Sequence, residues 1–224
     1  MTNPIKALRK KIKWWLASPA QRRHSLVGPM REWEKKREFQ ILFLKRMGLK
    51  PEHYLMDIGC GTLRGGIPLI EYLQPGRYFG LESREAVLDE ARKELLEHGL
   101  EPKVPRLIPS PSLPDLKLEQ RFDYAWAFSV LIHMTDEILD GCLLMVERHL
   151  NDSGAFYANV NLGEKSDGHW QGFPVVYRTL PFYREAARRH GLDVQDLGTS
   201  KSFHASGIRA QDEKHLLKFV RLRP

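Results

Sequence analysis

Asp57-Ile58-Gly59-Cys60-Gly61-Thr62-Leu63-Arg64-Gly65-Gly66 is the stretch that decides how this chain folds. It follows a short apolar strand pattern, Tyr54 to Ile58, and leads into a helical pattern predicted over Leu63 to Leu73, closed by Pro75-Gly76. A strand that turns on glycines into a helix sets the turn at the carboxyl edge of a sheet, where open α/β folds bind ligands. Gly59 and Gly61 would let the backbone approach a ligand with no Cβ in the way.

The same alternation extends in both directions. Upstream, Glu32 to Met47 reads as a helix with Trp33, Phe39, Leu42, Phe43 and Met47 apolar, stopped by Gly48. Downstream, Tyr78 to Leu81 is a strand, and Ser83 can cap a helix that runs through His98 and stops at Gly99. Glu101 to Gln120 carries five prolines and reads as loop, with one short strand at Arg106 to Ile108. Phe122 to Val130 is a strongly apolar strand, and Thr135 can cap a helix to Leu150. The turn Asn151-Asp152-Ser153-Gly154 leads into a strand from Ala155 to Asn161. After an aromatic-rich loop come a helix, Leu180 to His190, and strands at Leu192 to Leu197 and Leu216 to Leu222. Strands alternating with helices imply an α/β fold with a mainly parallel sheet covered on both faces.

The glycine spacing narrows the ligand. Glycines at 59, 61 and 65 are one residue too wide for the dinucleotide pattern, and no Gly-Lys-Ser/Thr follows to make a P-loop. Asp57 stands two residues before the first glycine, where it would repel a pyrophosphate but attract an ammonium group. The carboxylate of such a ligand could then use the N–H groups of the following helix, or Arg64. Glu82 ends the second strand, 21 residues after Gly61, where an acidic side chain can accept both hydroxyls of a ribose.

Asp57-Ile58-Gly59-Cys60-Gly61, Gly80-Leu81-Glu82 and Phe122 to Val130 together resemble the class I S-adenosylmethionine-dependent methyltransferases over about residues 50 to 162. The resemblance implies a Rossmann-like, seven-stranded, mostly parallel sheet with helices on both faces and an antiparallel last strand. It implies S-adenosyl-L-methionine as cofactor, with the turn Asp57, Gly59, Cys60, Gly61 and Arg64 around the methionine moiety and Glu82 on the ribose. Ser110 would flank the adenine, and Phe128 and Ser129 would face the methyl group. The Asn/Asp-Pro-Pro-Tyr/Phe ending of enzymes that methylate nucleobase amino groups is absent: the fourth strand ends in Ala127-Phe128-Ser129. No cysteine stands where cytosine-carbon methyltransferases carry theirs, since Cys60 belongs to the turn and Cys142 falls on an apolar helix face.

An oxygen acceptor usually needs a base, and His133 follows the fourth strand at the edge where substrate would enter. His169 and His204 lie in later loops and could also reach the site, and His169 to Tyr177 is dense enough in aromatics to form a substrate wall. No grouping of His, Cys, Asp and Glu has metal spacing. The expected activity is methyl transfer to oxygen of a small-molecule or glycan acceptor. The alternatives are an RNA or protein acceptor, or a cofactor-binding partner protein without turnover. A nicotinamide oxidoreductase is disfavoured by the glycine spacing.

Charge separates an arm from the body. Among 224 residues with a net charge of +7, residues 1–24 hold seven basic side chains and no acidic one. Removing those seven from the 35 basic residues leaves 28, which the 28 acidic residues balance. A neutral body argues against a nucleic-acid reader, whose basic face lies on the fold itself. We therefore divide the chain into a basic arm, 1–30, and a methyltransferase domain, 31–224. Ile5 to Leu16 reads as an amphipathic helix ended by Pro19, suited to an anionic membrane surface. The longest largely apolar run, Tyr124 to Ile132, is too short to span a bilayer, and two cysteines give no disulfide framework. These features predict a cytoplasmic protein, peripheral to a membrane at most.

Overall fold

A computed structural model describes residue 15 and residues 17–29, 32–203 and 213–222. Seven strands form one sheet: β1 (Leu55–Ile58), β2 (Tyr78–Glu82), β3 (Arg106–Pro109), β4 (Phe122–Ala127), β5 (Leu150–Val160), β8 (Leu192–Thr199) and β9 (His215–Arg221). Their spatial order is β3-β2-β1-β4-β5-β9-β8, with β9 antiparallel to both its neighbours and the other six mutually parallel. Between β5 and β8 lies a separate two-stranded hairpin, β6 (Gly168–Trp170) and β7 (Phe173–Val175).

Among the described residues, six α-helices flank the strands: α1 (Pro19–Ser25), α2 (Trp33–Arg46), α3 (Gly66–Tyr72), α4 (Glu85–Glu97), α5 (Asp136–His149) and α6 (Leu180–Arg189). Strand alternation divides the core between two faces. Met56, Ile58, Phe79 and Leu81 pack with Leu139 and Leu143 of α5 and Tyr183 and Ala186 of α6. Leu55, Tyr78 and Trp126 pack on the opposite face with Phe43 of α2, Ile70 of α3 and Leu88 of α4. Strands covered on both sides bury all their residues, which is why β1 and β2 are buried throughout.

Several sequence expectations shift locally. The helix after the glycine turn begins at Gly66 rather than Leu63, because Leu63 is left-handed at φ 61°. Ser83 does not cap α4: its hydroxyl turns to Glu82, and Arg84 is the capping position. Residues 151–154 continue β5 through a register shift instead of forming a separate turn. The aromatic stretch after β5 is the β6–β7 hairpin, not a loop. Leu42 faces solvent, while the stripe of α2 that meets the sheet includes Lys36 and Gln40.

Pro19 starts a helix. The Ser18 hydroxyl accepts from the Gln21 amide at 3.2 Å, and the Gln21 side chain accepts from the Ser18 amide at 3.0 Å. That reciprocal cap, with proline at the first helical position, favours a helix start. The expected helix over Ile5 to Leu16 lies outside the described residues, apart from Trp15.

Candidate active site

A cavity of about 800 Å³ opens at the carboxyl ends of β1, β2 and β4. Asp57, Gly59, Cys60, Gly61, Arg64, Glu82, Ser110, Phe128, Ser129 and His133, chosen from sequence, all line it. His169 is exposed and absent from the lining, and His204 lies outside the described residues.

The glycine turn is pinned to β2. The Gly59 and Cys60 amides both donate to the Leu81 carbonyl, at 2.8 and 2.9 Å. Gly59 and Gly61 adopt φ 70° and 58°, which glycine reaches without strain. A Cβ on Gly59 would lie 2.5 Å from Val130 Cγ2, and one on Gly61 would lie 2.7 Å from Val27 Cγ1. The space that these glycines leave is therefore filled by protein. Their first requirement is conformation and packing rather than the approach of a ligand.

Asp57 is buried, and its Oδ2 accepts a 2.6 Å hydrogen bond from the Tyr78 hydroxyl. Burial pushes its carboxyl up to about 7, opposed by the Tyr78 bond and by the nearby Arg64 charge. Arg64 is itself buried, which lowers its guanidinium to about 10. Its NH1 donates to the Val27 carbonyl at 3.0 Å, while its Nε is buried with no partner among the described residues. A buried, unpaired guanidinium nitrogen suits a ligand carboxylate, because leaving it unmet is costly.

Glu82 is held by the residues that follow it. Its Oε1 accepts from the Arg84 amide at 3.1 Å and from Arg84 Nε at 2.9 Å. Oε2 has no protein partner among the described residues, so one carboxylate oxygen is left for ligand hydroxyls. At the end of β4, Ser129 is left-handed at φ 62° and its amide donates to buried Asn159 at 2.6 Å. That strained turn brings Phe128, Ser129 and Val130 to the cavity wall.

His133 Nδ1 lies 2.6 Å from the Pro174 carbonyl of the hairpin. A carbonyl only accepts, so Nδ1 carries the hydrogen and Nε2 keeps its lone pair. Burial lowers the imidazole below its ordinary 6.5, and the charges of Lys214 and Arg84 push it the same way. The ring also stacks near Trp170, with centroids 6.1 Å apart. Trp170, Phe173 and Pro174 bring the hairpin into the cavity lining.

Sequence reasoning missed Tyr78, Gln40, Arg84 and the strap Leu26–Val27, all in or against the site. Gln40 left a signal, as a polar residue within the apolar stripe of a helix. It accepts from Trp126 Nε1 at 2.9 Å and would meet any Cβ on Gly65. The strap left none. Val27 closes on Gly61 because α1 is tied to α4: buried Arg23 pairs with buried Glu94 at 2.7 Å and also with Glu97.

Residues 56–156 match a family model described as a methyltransferase domain. No curated protein sequence matches the chain. Among solved structures, the fold is similar to the CcbJ methyltransferase from Streptomyces caelestis, with a TM-score of 0.66 and 15% identity, covering 88% of this chain and 92% of that one. It is similar to the magnesium protoporphyrin IX methyltransferase from Synechocystis PCC 6803, solved with bound S-adenosylmethionine, with a TM-score of 0.66 and 15% identity over 99% and 98% of the two chains. The glycopeptide N-methyltransferase MtfA superposes with a TM-score of 0.64 and 15% identity over 83% and 90%.

Proposed function

We propose that this chain is a class I S-adenosylmethionine-dependent methyltransferase that methylates an oxygen of a small-molecule or glycan acceptor, a reading supported by the methyltransferase-domain match over residues 56–156 and by the fold. His133 carries this reading. It lines the cavity, and its Nδ1–H is fixed on Pro174, which leaves Nε2 as a lone-pair base that burial keeps neutral near pH 7.

The residues present fit the cofactor. Arg64 Nε offers a buried donor to the carboxylate, Asp57 an acceptor to the ammonium, and Glu82 Oε2 an acceptor to the ribose. Ser110 and the prolines beside it form the adenine wall, Cys60 adds the apolar floor of the turn, and Phe128 and Ser129 border the methyl end. When bound, S-adenosylmethionine supplies a methyl group on a sulfonium, open to in-line displacement. The protein's part is to align the acceptor oxygen and take its proton on His133 Nε2 as the new bond forms.

The test is release of S-adenosylhomocysteine across a panel of phenols, sugars and amines, by the wild type and by His133→Gln. A loss of about 10²–10⁴ in kcat with unchanged cofactor affinity is expected for removal of a general base. Undiminished turnover in His133→Gln would remove the base, and transfer only to amines would remove the oxygen acceptor.

A further inference from the structure

Arg84 touches two parts of the cavity at once. Its edge holds Glu82 Oε1 through Nε and the backbone amide, at 2.9 and 3.1 Å. Its face lies over the Phe173 ring, with the guanidinium carbon 5.3 Å from the centroid. Phe173 belongs to the β6–β7 hairpin, whose Pro174 carbonyl fixes His133 and whose Trp170 lies against the same imidazole. Trp170 and Phe173 are 39% and 38% exposed, so their outer surfaces stand open to a second ligand.

We propose that Arg84 is a positioning residue that couples the ribose anchor to the acceptor wall. The inference rests on the reading of Glu82 as the ribose acceptor. With Oε1 pinned by Arg84, Glu82 loses rotamer freedom and presents Oε2 to the hydroxyls. With its guanidinium fixed in that pair, Arg84 offers a stationary cationic face on which Phe173 can seat the hairpin. Ligand hydroxyls on Glu82 hold the carboxylate in place, the carboxylate holds Arg84, and Arg84 holds the wall that carries His133's partner. Linkage is reciprocal: a hairpin that seats well on Arg84 must strengthen ribose binding at Glu82.

Because the coupling acts on the cofactor, it can be measured without knowing the acceptor. The probe is S-adenosylhomocysteine, titrated calorimetrically into wild type, Arg84→Met, Phe173→Ala, the double variant and Glu82→Ala, each checked for an intact fold by circular dichroism. Arg84→Met keeps the apolar stem and removes the paired guanidinium, and should weaken binding about tenfold. Phe173→Ala should weaken it about two- to fivefold, the size of a cation–π contact. The double variant should bind no more weakly than Arg84→Met alone, since both changes break one relay. Arg84→Lys, which keeps the charge but not the planar fork, should restore only part of the loss. Unchanged affinity in Phe173→Ala, or additive losses in the double variant, would overturn the coupling. If Glu82→Ala also binds normally, the ribose reading itself has failed; if Glu82→Ala binds weakly, only the relay has.

Discussion

Tyr78 and Asp57 meet across two adjacent parallel strands, hydroxyl to carboxylate at 2.6 Å, with both side chains buried. Leu55 is the register partner of Tyr78, and Asp57 stands two residues beyond Leu55 on the same side of β1. The tyrosine stabilises the ionised carboxyl, while burial, the larger effect, raises it to about 7. Asp57 is therefore held well above the ordinary carboxyl value of 3.8.

A protonated Asp57 cannot pair with an ammonium, so cofactor affinity should be constant above about 7 and fall on acidification. The expected slope is about tenfold per pH unit below that point. Asp57→Asn should bind weakly at every pH with the slope gone, and Tyr78→Phe should move the midpoint upward. Calorimetric titration of S-adenosylhomocysteine between mildly acidic and mildly alkaline pH reads all three. Linkage gives the matching sign for stability: because the folded carboxyl is raised from 3.8, Asp57 stabilises the ligand-free fold most below 3.8 and loses that contribution as pH rises through about 7.

The two turn glycines can be tested against a third that shares their conformation. Gly76 has φ 77° with nothing within 4 Å of its would-be Cβ, so Gly76→Ala reports backbone strain alone. Gly59→Ala and Gly61→Ala add collisions with Val130 and Val27 and should each cost more, about 1–3 kcal/mol by thermal unfolding. Adding Val27→Ala to Gly61→Ala should recover part of the stability and of the cofactor affinity. No recovery would mean that the Cβ obstructs the ligand rather than the strap.

Arg23 and Glu94 form a buried pair that also draws in His24 at 3.2 Å and Arg37 at 3.3 Å from Glu94. His24 stacks on Trp33 with centroids 3.6 Å apart, so α1, α2 and α4 meet at one cluster. Removing Arg23 takes from buried Glu94 its one fully buried partner and leaves it to the more exposed Arg37 and His24, so Arg23→Met should destabilise by about 3–5 kcal/mol. Because the strap carries Val27 onto Gly61 and its carbonyl onto Arg64, cofactor affinity should fall as well. Arg23→Met paired with Glu94→Leu, which leaves no buried charge behind on either side, should regain most of the stability. Denaturant unfolding of the single and double variants measures both effects.

What the sequence disclosed follows from which interactions are local. The glycine turn, the strand ends and the alternating elements are encoded within a few residues each, and they place ten site residues on one cavity. Tyr78 could not be assigned to Asp57, because strand register is a property of the assembled sheet. Arg84 sat unnoticed beside Glu82, since its role depends on a hairpin about 90 residues later. Proline both follows helices and opens them, and it is the reciprocal Ser18–Gln21 cap that makes Pro19 a helix start.

The burial of Arg23 redefines the basic arm. Arg23 is committed to Glu94 and Glu97, and Arg22 donates to the Trp15 and Ala17 carbonyls, which leaves Lys6, Arg9, Lys10, Lys11 and Lys13 as the charges to be tested for a partner. Among the described residues no helix is long and apolar enough to cross a membrane. At about 1 kcal/mol per basic residue near an anionic surface, those side chains together would hold the protein on phosphatidylserine vesicles at low salt. Full-length protein should therefore cosediment with such vesicles and be released by high salt. A variant lacking residues 1–14 should stay in the supernatant while binding S-adenosylhomocysteine normally, because Ser18 to Val27 and their contacts on α4 and Gly61 are kept. Truncation at residue 24 would confuse the two effects, since it removes the Arg23 anchor along with the charge. If full-length protein also stays in the supernatant at low salt, the arm has no membrane role. Loss of methyl transfer to a soluble acceptor on removing 1–14 would place it at the substrate entrance instead.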